Sequence, residues 1–311
     1  MAKIKTSSFV WVRRLSQAVF LLIFLYLFML TVYHPGNETY GPLKLFFNFD
    51  PLAMLTVLLG GHAVAGAFLL SLITIVFTLV LGRWFCGWVC PFGTVHNMFS
   101  GIRIAKGKDK IKAGSYSVWQ KSKYYILTLV LVCAFFGANL AGWLDPFSFL
   151  FRSLGLSVFP LVNAGFEGFF NWMYNVDPLK LSVITEPIFR ILRRSFLDFS
   201  QPHYFWGMFF GVLFGVIIAL NMFRARFWCR YICPLGGLLG IFGKNPTVRI
   251  KVDPEKCNGC SLCVIECQTG ADPMGEGSWR PSECIFCWNC ESVCPVNAIT
   301  FDFKGQGGEK S

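Results

Sequence analysis

Eight cysteines near the C-terminal end constrain this chain more than any other feature: Cys257, Cys260, Cys263 and Cys267, then Cys284, Cys287, Cys290 and Cys294, the last followed by Pro295. Each quartet has the spacing C-x2-C-x2-C-x3-C. In that spacing three cysteines of a run ligate one [4Fe–4S] cluster and the fourth serves the other cluster. The pattern predicts two cubanes. One takes Cys257, Cys260, Cys263 and Cys294, and the other takes Cys284, Cys287, Cys290 and Cys267. Such clusters accept and give single electrons, so the chain is expected to move electrons. A zinc ribbon would need two C-x2-C pairs, not two runs of four.

The rest of the chain is unusually apolar. Of 311 residues 54% are hydrophobic and 14% charged, which points to membrane spans. The 13 cysteines do not read as disulfides, because eight sit in metal-ligand registers that only thiolates can serve. The formal net charge is +11, but the basic residues lie mostly beside apolar runs, where they set membrane orientation. No nucleic-acid partner is expected.

Four uncharged apolar stretches, 15–33, 62–82, 124–143 and 204–223, each have 19 to 21 residues. At about 1.5 Å per helical residue that matches a hydrocarbon core of about 30 Å. The shorter runs 51–61 and 153–166 read as re-entrant or interfacial segments. Lys and Arg concentrate in the N-terminal tail, in the loop 83–123 and after Phe223. The positive-inside rule therefore places both termini and the cysteine quartets in the cytoplasm, with 144–203 as an outer loop whose Arg190, Arg193 and Arg194 run against the rule. The first stretch reads as an uncleaved anchor, since its apolar run exceeds a signal core. The loop 103–123, with Lys106, Lys108, Lys110 and Lys112, suits anionic lipid or an acidic redox partner.

A repeat joins the second and fourth stretches. Arg83-Trp-Phe-Cys86-Gly-Trp-Val-Cys90-Pro91-Phe-Gly93 corresponds to Arg226-Phe-Trp-Cys229-Arg-Tyr-Ile-Cys233-Pro234-Leu-Gly236. Cysteines at i and i+4 share a helix face, and the proline disfavours helical geometry at the second one. Cys86, Cys90, Cys229 and Cys233 thus form a candidate metal site for a further iron–sulfur centre. A tetrahedral zinc and inert packed thiols are the alternatives. Cys133, alone in its stretch, reads as a small core residue.

The expected architecture is an α-helical membrane protein: a four-helix membrane domain over 1–247, an α+β bacterial-type 2[4Fe–4S] ferredoxin domain over 248–303, and a flexible tail over 304–311. A short strand before Cys257 and another after Cys294 are expected. Gln268 stands where proline usually follows the fourth cysteine.

The chain resembles the NapH, NosR and YccM type of membrane-bound quinol dehydrogenase iron–sulfur proteins, with NapH nearest. The resemblance rests on Arg13-Arg14-Leu15-Ser16-Gln17, on Asp50-Pro51-Leu52 and Gly61-His62, on both C-x3-C-P units and on the paired quartets. It covers most of the chain apart from 147–202, which looks longer than in NapH. It implies a subunit in a bacterial inner membrane that oxidises quinol and passes electrons to a redox partner protein. A different class, a maturation factor reducing a metal or thiol during assembly of a respiratory enzyme, is also implied by some relatives.

Quinol oxidation releases protons, and histidine suits their acceptance near neutral pH. His34, His62 and His203 fall at the outer ends of stretches. His62 is the first choice for a quinol site, with Asp50 as an orienting carboxylate. A plain interfacial histidine and haem ligation are the competing readings. His96, six residues after Cys90, reads as a surface or interface residue with a tuning role left open.

Overall fold

The computed structural model describes residues 8–33, 46–61, 69–102, 104–105, 108–176, 205–274 and 279–303. It is mostly helical, with a small α+β unit at its C-terminal end. Helix α1 (Ser8–Tyr33) comes first, and α2 (Pro51–Gly61) starts where Asp50 turns the chain. Then come α3 (Leu70–Leu81), α4 (Trp84–Trp88), α5 (Pro91–Phe99) and α6 (Lys108–Gly114). Helix α7 (Ser122–Phe135) follows, and α8 (Pro146–Ser153) runs through a π turn into α9 (Phe159–Val176). The second half of the repeat supplies α10 (Phe205–Leu220), α11 (Phe227–Tyr231) and α12 (Pro234–Phe242).

The helices are inside-out relative to a water-soluble bundle. On α3 the buried residues are Ser71, Thr74 and Thr78, a helical stripe of hydroxyls, whereas Leu72, Ile73, Val76, Phe77, Leu79 and Val80 are exposed. Thr74 donates to the Phe49 carbonyl at 2.8 Å and Thr78 to the Thr74 carbonyl at 2.7 Å. Water would penalise so much exposed apolar surface, while lipid requires it. The chain is membrane-associated.

The four expected spans are realised in part among the described residues. Among the described residues two helical segments are long and apolar enough to cross a bilayer, Ser8–Leu30 and Pro146–Met173. The first coincides with an expected span, but the second lies in the segment expected to be an outer loop. It carries two charges, Arg152 and Glu167, and Arg152 stacks its guanidinium 5.0 Å from the Trp143 ring centre. The stretch 124–143 breaks after Phe135, where Gly137 takes φ +80°. Its 14-residue helix reaches only about 21 Å. Helix α10 is likewise short, and residues 62–68 lie outside the described ones.

In the C-terminal unit β1 (Val248–Val252) pairs antiparallel with β2 (Ile299–Phe303), Val252 opposite Ile299. The register sets the chain before Cys257 beside the chain after Cys294, and Asp253 N–H donates to the Ala298 carbonyl at 2.8 Å to continue it. Short helices α13 (Leu262–Ile265) and α14 (Asn289–Ser292) carry the middle of each quartet.

Candidate metal centres

The two quartets fold alike. In the first, Gly259 (φ +70°) and Ser261 (φ +59°) flank Cys260; in the second, Phe286 (φ +49°) and Trp288 (φ +55°) flank Cys287. A left-handed backbone at Phe and Trp costs energy and persists only when something nearby demands it. Here it turns the peptide units between successive cysteines around a common centre. The fourth cysteines match too: Ala271 N–H donates to Cys267 Sγ and Ala298 N–H to Cys294 Sγ, each at 3.3 Å. Cys257, Cys260, Cys263 and Cys294 line one small cavity. Cys284 and Cys290 lie close enough to Cys287 and Cys267 to feel their charge. Cys294 thus lies beside the first run and Cys267 beside the second.

The C-x3-C-P units are also near-superimposable in conformation. Each has a five-residue helix, a second cysteine in extended geometry (Cys90 φ −62°, ψ 116°; Cys233 φ −60°, ψ 111°), then a nine-residue helix opened by proline. The i, i+4 helical face expected for each pair is not realised. Proline forces the residue before it out of the α region, so the second sulfur sits in the break between two helices. There it accepts a hydrogen bond from the N–H three residues on, Gly93 at 3.4 Å and Gly236 at 3.2 Å. All four cysteines are buried, and each of Cys90, Cys229 and Cys233 lies within reach of charge on the other pair.

Two arginines cross between the halves. Arg83 Nη2 donates to the Cys229 carbonyl at 3.4 Å and Arg226 Nη1 to the Cys86 carbonyl at 2.7 Å. With Lys123 they make three fully buried cations beside the four sulfurs, and Glu283 is the acid paired among them in the described residues. Buried positive charge in that excess is costly unless a negative group stands near. Burial pushes the Cys90, Cys229 and Cys233 thiols up, so on their own they would stay neutral. Burial likewise pushes Cys263 up to about 12. An iron centre would hold these sulfurs as thiolates and supply the negative charge the cations lack. Among the described residues no three His, Cys, Asp or Glu groups come close enough to share one metal ion. A tetrahedral zinc would need sulfurs only about 3.8 Å apart, from bonds of about 2.3 Å. The ligands of a cluster sit at separate irons and need not converge on one point.

The two kinds of site touch. A Cβ on Gly87, between Cys86 and Cys90, would lie 2.6 Å from the carbonyl oxygen of Ile285, between Cys284 and Cys287. Trp88 Nε1 donates to the Phe286 carbonyl at 3.0 Å. Only a glycine allows the cysteine-bearing turns this approach.

Two 4Fe-4S binding domain models match the chain. One covers 250–271 and 278–300. The other covers 63–112 and 206–252, the two C-x3-C-P halves. An uncharacterized protein of Methanocaldococcus jannaschii is 25% identical, over 78% of this chain and 73% of its own. The ferredoxin-type protein NapH of Escherichia coli K12 is 25% identical, over 84% and 77%. NapH of Haemophilus influenzae is 28% identical, over 95% and 90%. The chain is similar to NapH over most of its length. No solved structure matches it. The 4Fe-4S binding domain matches and the cysteine runs together support iron–sulfur clusters in this chain.

Of the other expected site residues, His62, His34 and His203 lie outside the described residues. Asp50 is fully buried. Its Oδ1 accepts from Leu52 N–H at 2.8 Å, and Asp145 stands near it; burial first, and the neighbouring carboxyl, push Asp145 up, which favours a proton on one of the two. Asp145 likewise opens a helix at an Asp-Pro step, accepting from Phe147 and Ser148 N–H. Cys133 is half-buried on α7.

His96 is not a surface residue: it is fully buried. Its Nδ1 lies 2.8 Å from Asn221 Oδ1, which also accepts from Phe227 N–H, so Nδ1 carries the proton and Nε2 is left bare. Burial pushes His96 down to about 4. Between that value and the ordinary 6.5 the unfolded chain binds the extra proton. Stability is therefore complete above about pH 6.5 and declines by up to about 3 kcal/mol as pH falls toward 4. The thermal midpoint in detergent should drop between pH 7 and 5 in the wild type, and the His96 share of that slope should vanish in His96→Gln; an unchanged slope would contradict it.

Proposed function

We propose that this chain passes electrons between the quinol pool and a redox partner protein. Cys86, Cys90, Cys229 and Cys233 hold one iron–sulfur centre at the membrane edge. Cys257, Cys260, Cys263 and Cys294, and Cys284, Cys287, Cys290 and Cys267, hold two [4Fe–4S] clusters beyond it. Bound there, the clusters supply one-electron acceptance and donation. The observation that carries this reading is the backbone contact between the Gly87 turn and the Ile285 turn, which leaves no room for a side chain between the membrane-edge and C-terminal sites.

The chain's own residues set the conditions. Arg83, Arg226 and Lys123 balance sulfur charge, and the N–H groups of Gly93, Gly236, Ala271 and Ala298 donate to cysteine sulfur. Such donors favour the more negative, reduced state of the centre they face. The basic residues on the same side as the C-terminal unit support a cytoplasmic placement for it in a bacterial inner membrane. A reduced quinol analogue added anaerobically to the isolated protein is expected to bleach its visible iron–sulfur absorbance. Absorbance unmoved by quinol but bleached by dithionite would contradict the quinol assignment.

A further inference from the structure

A cleft of about 780 Å³ opens where α1, α5 and the C-terminal unit meet. Its walls differ in kind. Ala18, Leu21 and Leu22 of α1 and Met98 of α5 form an apolar lip, with Leu22 and Met98 exposed on the lipid-facing surface. Lys110 and Glu266 stand at another edge. The third wall is Gln268 and Asn289, each next in sequence to a cysteine of the second cluster set.

Among the side chains lining the polar back of the cleft, buried polar atoms lack a partner at one residue; Arg226, behind the lining, also keeps its Nη2 unpartnered. Arg226 Nε donates to Gln268 at 2.9 Å, Gln268 to Asn97 at 2.5 Å, Asn97 to Gln17 at 3.0 Å, and Gln17 to the Gly87 carbonyl at 2.6 Å. Arg13 is that lining residue. It is 1% exposed, its Nη2 donates to Asn289 Oδ1 at 3.1 Å, and its Nε and Nη1 are buried without a partner. It also lies near enough to Cys287 to feel its charge. A buried guanidinium with two idle N–H groups calls for an oxygen acceptor.

We propose that the cleft binds the quinone head group, with Arg13 donating to a ring oxygen and the isoprenoid tail leaving past Leu21 and Leu22. This rests on the quinol reading above. An acidic phospholipid would use the lipid and water sides but has no need of the third wall beside Cys287 and Cys290, and that wall decides for quinone. Each quinol yields one quinone, two electrons and two protons. The electrons leave singly on the Asn289 side to the iron–sulfur centre held there, and the protons leave to water past Glu266.

The test uses full-length protein in lipid nanodiscs with a photoreactive azidoquinone, mapped by mass spectrometry, alongside quinol-driven bleaching of the unlabelled sample. Label is expected on residues 13–22 or 94–101, displaced by plain quinone. Arg13→Gln should reduce it about tenfold, the loss of one charge-assisted hydrogen bond. Leu22→Trp, at an exposed position that folding does not need, should block it. Label on 50–62 instead overturns the placement while the quinol reading stands, as does bleaching without label. Label displaced by cardiolipin but not by quinone makes this a lipid site and overturns the proposal. Absence of both label and bleaching overturns the quinol reading as well.

Discussion

Glu283→Ala is expected to destabilise the chain by about 3–5 kcal/mol, among the largest costs of any single exchange of a residue that touches no metal. Glu283 is 2% exposed and stands one residue before Cys284. It accepts from Arg83 Nη1 at 3.1 Å and Tyr124 Oη at 3.4 Å, and pairs directly with Lys123. Burial already holds Lys123 down at about 8, against the pull of Glu283 in the other direction. Removing the carboxylate leaves Arg83 uncompensated inside the protein, and Lys123 can escape only by losing its proton. The same contacts clamp the C-terminal unit onto the helices, so the thermal midpoint should fall by roughly 10 °C and the 248–303 segment should become sensitive to protease. Glu283→Gln, which keeps an acceptor, should cost less. An alanine variant within about 1 kcal/mol of wild type would show that the ion pairs do not hold the two parts together.

The second large effect concerns the membrane-edge centre. Joint replacement of Cys86 and Cys229 by serine takes one ligand from each half of the repeat. Iron should fall to the roughly eight atoms of two cubanes. Dithionite should still reduce the two remaining clusters, and quinol should still bleach them, since the cleft delivers its electrons on the Asn289 side. Unchanged iron content would return these cysteines to inert packed thiols.

The sequence made some of this legible and hid the rest for identifiable reasons. The quartets were readable because ligand spacing is a local property, and the strands around them followed from their β-branched residues beside the cysteines. The C-x3-C-P repeat was readable as a repeat, yet the conformation at Cys90 and Cys233 turned on Pro91 and Pro234, which outweigh helical periodicity. Five of the basic residues do more than mark orientation. Arg13, Arg83, Lys123, Arg226 and Arg230 looked like orientation signals beside apolar runs, but all are buried. Arg230, for instance, donates to the carbonyls of Ala113 and Ser115 at 2.9 and 2.6 Å. A recurring Arg three residues before each C-x3-C was the available clue. The helix over Pro146–Met173 extends past the run 153–166 that Arg152 and Glu167 bound in the sequence, and hydropathy does not see that Trp143 covers Arg152. His96 was missed because only the fold brings Asn221 to its side.

The central claim, that the cysteines of both motifs are wired to iron, is tested most directly by iron and acid-labile sulfide per chain, with EPR of the reduced state, in protein isolated without oxygen. More than about eight irons, matched by sulfide and giving signals of interacting clusters, is the predicted result. A colourless protein without iron would contradict it.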